Sequence, residues 1–155
     1  MIMDDLFPDF KVRVYKVMST FNDLHGMELR VTSGLRSFEE QSKLYAKGRK
    51  YPGRIVTNAE PGDSLHNYGL AVDFVFRGVD PYLEKQDKPD ADSLWNELGK
   101  QVKNFGCVWG GDFKLVDRPH MEMSYGIPID RLKELYNHGG LVTVWNYINV
   151  LITIK

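Results

Sequence analysis

Two histidines and two aspartates raise the chemical question in this chain. In Ser64–Phe74, SLHNYGLAVDF, His66 and Asp73 stand seven positions apart around Gly69; in Val116–Ser124, VDRPHMEMS, Asp117 and His120 stand three apart. Residues an odd number of positions apart in a straight strand face opposite sides, so His66 and Asp73 can share a site only if the chain turns between them. Asn67-Tyr68-Gly69 supplies such a turn, because Asn and Gly both tolerate positive φ. An aspartate between Val72 and Phe74 is costly to desolvate without a partner: a cation, a buried arginine, or water at a strand end. Pro119 keeps Arg118 extended and cannot donate to a ladder, which places a strand start near His120 and leaves Asp117 on the loop entering it. Two imidazoles and one carboxylate form a nitrogen–oxygen donor set suited to zinc, with a fourth position for water and Asp117 beside that water as a general base. On spacing alone, unrelated surface histidines and a strand-edge carboxylate remain the competing reading.

The elements that must position these groups follow from periodicity. Phe10, Val14, Val17, Phe21 and Leu24 form one stripe of an amphipathic helix ended by Gly26. MELRVTS alternates and predicts a strand over Glu28–Ser33. Ser37 and Glu40 have capping-box spacing, opening a helix that Gly48 closes. Arg49–Asp63, with two prolines and two glycines, reads as a long loop. LAVDFVF predicts a strand with Val72, Phe74 and Phe76 toward the core and Asp73 turned away with Ala71. A polar excursion follows, DPYLEKQDKPDAD, then a helix with Leu94, Leu98, Val102 and Phe105 on one face and Gly106 after it. CVWGGDF and HMEMS read as two short strands, followed by a helix from about Ile129 to Asn137. The apolar C-terminal stretch GGLVTVWNYINVLITIK, interrupted by Asn146 and Asn149, is too short for the roughly 20 apolar residues of a membrane span and reads as a helix or strand closing the core, with a membrane-surface or partner-binding tail as the alternative. The expected fold class is α+β, one domain, with no repeat or interdomain linker.

Bulk properties narrow the partners. The chain has 155 residues, 43% hydrophobic and 26% charged, with 20 Lys+Arg against 21 Asp+Glu, the composition of an ordinary globular domain with no call for nucleic acid. The basic cluster Lys47-Gly48-Arg49-Lys50 is too brief to alter that and reads as a solvated helix end. Cys107 is the single cysteine, so no internal disulfide forms. The N-terminus MIMDDLFPDF carries acids where a secretory signal needs basic residues and an apolar run, and no export signal is expected. His25 and His138 fall at helix ends, where a histidine suits the negative end of the dipole. Glu122 shares strand parity with His120 and could accept a hydrogen bond from it; exposure on the sheet face is the equal alternative.

SLHNYGLAVDF matches the S-x-H-x-x-G-x-A-x-D pattern of zinc peptidases that cut peptidoglycan stem peptides: D-alanyl-D-alanine carboxypeptidases, D-alanyl-D-alanine dipeptidases and phage L-alanyl-D-glutamate endolysins. WGGDF (Trp109–Phe113) followed by DRPHME (Asp117–Glu122) resembles the second half of that signature. SGLRSFEEQSKLY (Ser33–Tyr45) resembles the segment that supplies a substrate-facing arginine and glutamine. Together these motifs cover roughly Met27–Ser124.

The resemblance implies zinc ligands His66, Asp73 and His120, with Asp117 as catalytic base and Arg36 neutralising charge on the substrate carbonyl or developing oxyanion. Gln41, Ser64, Tyr68 and Trp109 are implied as substrate-side residues: Gln41 as a contact, Ser64 and Tyr68 orienting the first ligand or lining the cleft, Trp109 as a cleft wall. The implied architecture is a Hedgehog/D-Ala-D-Ala-peptidase-like domain over residues 1–155, a small antiparallel sheet carrying the zinc site and packed with helices, with catalytic motifs within 27–124 and a closing segment over 125–155. The dipeptidase branch places glutamate in E-x-x-H where this chain has D-x-x-H, and the shorter base and small size resemble the endolysin branch. The expected activity is therefore zinc-dependent cleavage of the L-alanyl-D-glutamate bond by a monomeric bacteriophage endolysin. It would be made in the cytoplasm without a signal peptide, released by a holin, and lyse bacteria by degrading the cell wall. The alternatives are a D-alanyl-D-alanine carboxypeptidase and, in another class, a non-catalytic zinc-fold binding domain; Asp117 and Arg36 argue against the last, since a structural metal needs neither.

Overall fold

A computed structural model describes residues 1–154. The order of elements is α1 (Pro8–His25), β1 (Leu29–Ser33), α2 (Phe38–Ala46), β2 (Ala71–Phe76), α3 (Lys88–Asn104), β3 (Val108–Trp109), β4 (His120–Glu122) and α4 (Ile129–Thr153). The four strands form one antiparallel sheet in the order β1-β2-β4-β3, giving the α+β class.

Sheet register is what assembles the site. Asp73 lies directly opposite His120 on β4 and opposite Ser33 on β1. The β1–β2 pairing slips between Val31 and Ser33; such a bulge turns a strand's side chains out of simple alternation. Strand β2 is central, and both its faces are covered: Ala71 and Val75 are buried like Val72, Phe74 and Phe76. The expectation that Ala71 shares an open face with Asp73 is thus corrected. Near-continuous apolar character is what a strand covered on both sides requires, and Asp73 is its single charged residue.

The helices bury the sheet. Phe10, Val14, Val17 and Phe21 of α1 are fully buried, whereas Leu24 is exposed, because the helix runs past the edge of the core there. Gly26 caps it in the left-handed conformation at φ 61°. Helix α3 starts at Lys88, inside the segment read as a polar excursion, and presents Trp95 with Leu98 and Val102 to the core. The Phe76 ring meets Trp95 edge-on at 4.7 Å and Phe21 at 5.8 Å, joining α1, β2 and α3. Helix α2 ends at Ala46, two residues before Gly48.

One expectation changes near the C-terminal half. CVWGGDF forms only a two-residue strand before a 3-10 turn over Gly110–Asp112. The helix from Ile129 ends as expected, just past Asn137: the backbone angles of Gly139 and Gly140 are not helical, and the chain continues beyond them as a second helical run to Thr153. The apolar C-terminal stretch is that continuation, packing Val144 and Ile148 into the core and anchoring Trp145 by a hydrogen bond from its indole N–H to the Tyr68 carbonyl, 2.8 Å. Among the described residues no helix is long and apolar enough to cross a membrane.

Cys107 is buried beside Phe105 and Met123, and burial pushes its thiol up to about 12. The native protein is expected to resist iodoacetamide at pH 8 and to incorporate one equivalent after unfolding in guanidinium; rapid native labelling, read by intact mass, would contradict this burial.

Candidate metal and catalytic site

His66 arrives on a 3-10 turn (Leu65–Tyr68) begun by Ser64, whose hydroxyl accepts from the His66 N–H at 3.3 Å, and closed by Gly69 at φ 70°. The turn is clasped to the segment after β1. His66 Nδ1 lies 2.8 Å from the Gly34 carbonyl, the Arg36 N–H donates to the His66 carbonyl at 2.9 Å, and the Asn67 side-chain amide donates to the Arg36 carbonyl at 2.9 Å. A carbonyl only accepts, so Nδ1 carries a proton and the lone pair of a neutral His66 ring sits on Nε2.

That Nε2 lies 3.3 Å from Asp73 Oδ2. On the other side, His120 Nδ1 lies 3.3 Å from Asp73 Oδ1, and His120 Nε2 lies 2.7 Å from Glu122 Oε2. Glu122 thus takes the accepting role that its strand parity allowed, fixing which His120 nitrogen faces the cluster. His66, Asp73 and His120 each offer one atom within 4.8 Å of the others. Tetrahedral coordination with bonds of about 2.0–2.1 Å places neighbouring donors about 3.3 Å apart; each imidazole lies at that distance from one of the two Asp73 oxygens, and the donor set suits a small divalent ion.

Electrostatics agree with a cation site. Burial opposes charge on Asp73, but hydrogen bonds from His120 and His66 outweigh it and hold the carboxyl well below the ordinary carboxylate range. Burial likewise opposes charge on His120, yet its bonds to Asp73 and Glu122 raise it to about 9. A metal ion replaces the protons these rings otherwise share with Asp73.

Asp117 stands on the turn into β4. Its N–H donates to the Gly110 carbonyl at 2.8 Å and its carbonyl accepts from the His120 N–H at 3.2 Å. A Cβ on Gly110 would lie 2.2 Å from the Asp117 carbonyl oxygen and 2.8 Å from the His120 Cβ, so only glycine permits this approach. Burial raises the Asp117 carboxyl above its ordinary value, as does Asp73; His120, His66 and Arg36 pull against it. Arg36 sits across the same cleft, its guanidinium 3.9 Å from Asp73 Oδ2 and donating to Gln41 Oε1 at 2.9 Å and Ser33 Oγ at 3.0 Å.

Three of the residues expected on the substrate side have other positions. Gln41 is fully buried, neither solvated nor open to a ligand: its oxygen accepts from Arg36 and its amide donates to the Ala59 carbonyl at 2.8 Å. Tyr68 is fully buried with its hydroxyl donating to the Gly62 carbonyl at 2.7 Å; it supports the turn that carries His66, in line with the orienting alternative and not with a cleft wall. Trp109 lies in the core, its ring over Gly99 of α3 and its N–H donating to the Arg118 carbonyl at 2.8 Å. Each belongs to the scaffold because an aromatic ring or amide with its polar atom already satisfied packs more favourably inside. Ser64 does line the cleft. His138 is exposed and His25 reaches toward Glu97 at 3.8 Å, both away from the cluster.

The cleft over the cluster has a volume of about 850 Å³. One wall is the loop holding Ile55 and Val56, tied down by Arg49, which donates to the Tyr45 and Thr57 carbonyls and to the Asn58 side chain; the supposedly idle basic cluster thus shapes the cleft. The other wall carries Phe113, Leu115 and Val116. Gly110 is a structural part of the site that the sequence did not single out, and Asn67, expected only as a turn residue, also clasps the Arg36 carbonyl.

The fold is one that several solved peptidases share. Residues 57–123 match the family model described as D-alanyl-D-alanine carboxypeptidase. The chain is similar to the peptidoglycan L-alanyl-D-glutamate endopeptidase CwlK of Bacillus subtilis (strain 168), 43% identical over 103 residues that make up 63% of this chain and 62% of the relative; the chain thus spans about three fifths of that relative's length. Its fold is shared with the L-Ala D-Glu endopeptidase ChiX of Serratia marcescens (TM-score 0.52, 23% identity, 80% of this chain and 84% of that one). It is shared also with the LD-carboxypeptidase LdcB (TM-score 0.57, 23% identity, 90% and 75%).

Proposed function

We propose that the chain is a zinc-dependent hydrolase of peptidoglycan stem peptides that cuts the L-alanyl-D-glutamate bond. The single observation that carries this is the convergence of ligand atoms of His66, Asp73 and His120 within 4.8 Å of one another, in a cleft shared with Asp117 and Arg36. The likeness to CwlK supports the choice of bond. His66, Asp73 and His120 would hold the ion, which when bound polarises the scissile carbonyl and acidifies a water in its open position. Asp117 takes a proton from the attacking water and delivers it to the leaving amine. Arg36, held rigid by Gln41 and Ser33, stabilises the negative charge that grows on the carbonyl oxygen. Ser64 stands at the cleft edge, where a peptide backbone would pass.

An endopeptidase needs a cleft open at both ends, whereas a carboxypeptidase closes one end around a terminal carboxylate. Asp73 and Asp117 line both this cleft and a second hollow, which supports internal cleavage. The lytic setting we infer, a monomeric bacteriophage endolysin released through a holin, follows the motif resemblance. Digestion of purified sacculi followed by mass spectrometry tests the reaction. Fragments with a new D-glutamate amine, abolished by chelator and restored by zinc, are expected; release of D-alanine alone would assign carboxypeptidase activity, and a zymogram without clearing would leave a binding domain.

Gln41→Ala is expected to leave zinc content intact and lower kcat roughly 10- to 100-fold, because Arg36 loses the acceptor that aims it and small misplacements are costly. Steady-state kinetics with metal analysis checks this; an unchanged kcat would detach Arg36 from the reaction.

A further inference from the structure

The second hollow, about 490 Å³, lies across Asp73 and Asp117 from the main cleft and is otherwise lined by Thr32, Ser33, Tyr82 and Pro119. We propose that it is a glycan subsite, in which the exposed ring of Tyr82 stacks on the N-acetylated sugar that bears the stem peptide. This rests on the reading of the chain as a stem-peptide hydrolase.

The two arms of the groove differ in chemistry. The main arm is walled by Ile55, Val56, Leu115 and Val116, all more than half exposed, and suits a peptide chain. The short arm offers two hydroxyl side chains, one aromatic face and a proline, the combination that matches a sugar: hydroxyls meet hydroxyls, and the apolar face of the ring meets an aromatic. The bond between L-alanine and D-glutamate lies one residue from the sugar, so a substrate bound for cleavage there must place its glycan immediately beside the metal cluster. Asp73 and Asp117, which the proposed reaction sets beside the reacting atoms, line this hollow as well as the main cleft.

Tyr82 is held outward by construction. Leu83 beside it is 2% exposed with φ 59°, a left-handed conformation that a leucine adopts only when its surroundings impose it. The turn is fixed by the Leu83 N–H donating to the Asp80 carbonyl at 3.0 Å, the Phe76 N–H donating to the Pro81 carbonyl at 3.0 Å, and the Lys85 N–H donating to the Asp80 side chain at 2.7 Å. With Leu83 driven inward, Tyr82 stays 51% exposed over the hollow. An aromatic left in water by a strained, well-anchored turn beside a reactive cluster is placed for contact.

The test compares zinc-loaded wild type, Tyr82→Ala and Tyr82→Phe on two substrates: a muramyl peptide and the same stem peptide freed of its sugar. Wild type is expected to prefer the muramyl peptide, and Tyr82→Ala to lower kcat/KM on it about tenfold without changing the free peptide. Tyr82→Phe should restore most of the difference, because the ring supplies the contact. Equal loss on both substrates would make Tyr82 a support for the turn and overturn the subsite, as would no loss on either. If wild type cuts neither substrate at the L-alanyl-D-glutamate bond, it is the proposed reaction that fails, a result separate from the other two.

Discussion

Asp117→Asn is expected to lower turnover about 10²- to 10⁴-fold, the usual contribution of a positioned general base, with zinc content unchanged. The substitution preserves size, and the turn that presents residue 117 is fixed by main-chain bonds: its N–H to Gly110 and its carbonyl from His120. Neither depends on the carboxyl. What disappears is the proton acceptor. Burial raises that carboxyl above the ordinary aspartate value, so it is a stronger base than a solvated one and must be ionised to act. Wild-type kcat/KM should therefore rise with pH along an acid limb that asparagine abolishes. A variant with normal zinc that still digests sacculi at near wild-type rate would remove Asp117 from the mechanism.

Much of this site was legible in the sequence because its parts are local. The Gly69 turn, the Ser37–Glu40 cap and the glycine after α1 are short-range signals, and they place His66, Arg36 and the sheet where periodicity puts them. The pairing of Asp73 with His120 is different: the two residues are 47 positions apart and meet through strand register, so residue type and spacing offered it only beside a competing reading and the family motifs singled it out. Residues with two plausible homes were misplaced for a physical reason. Gln41, Tyr68 and Trp109 each combine a polar atom with bulk, and composition alone does not reveal whether that atom finds a partner inside. Here Ala59, Gly62 and Arg118 supply carbonyls, so all three fold inward. Gly139-Gly140, by contrast, was legible: the pair breaks the helix, and the segment beyond it buries Val144 and Ile148 and hangs Trp145 on Tyr68, so tertiary packing holds a second helical run in place.

Asp73→Asn should be the most damaging single change, eliminating activity and weakening zinc by at least about 100-fold, the upper range for losing even an outer partner of a ligand. Asp73 is the one anion among the three donors, and it faces both imidazoles at 3.3 Å. An amide keeps the shape but removes the charge that favours a dication over water. The consequence is measurable without turnover. Zinc at 100 times its dissociation constant stabilises the folded wild type by about 2.7 kcal/mol; the variant should show little shift in Tm at the same concentration. The pH dependence carries a sign. In the metal-free protein, His120, raised to about 9, lends stability that is full below its unfolded value of about 6.5 and is lost as pH rises through 9. Asp73, held low, lends stability that is present above about 3.9 and is lost only in acid. Between pH 6.5 and 9 the metal-free protein therefore weakens while proton competition for His120 fades, and the zinc-induced rise in Tm should grow with pH across that window in wild type. In Asp73→Asn both partners of that linkage are weakened, and the rise should be small and nearly flat. A large zinc shift of wild-type size in the variant would place the ion elsewhere than between these three side chains.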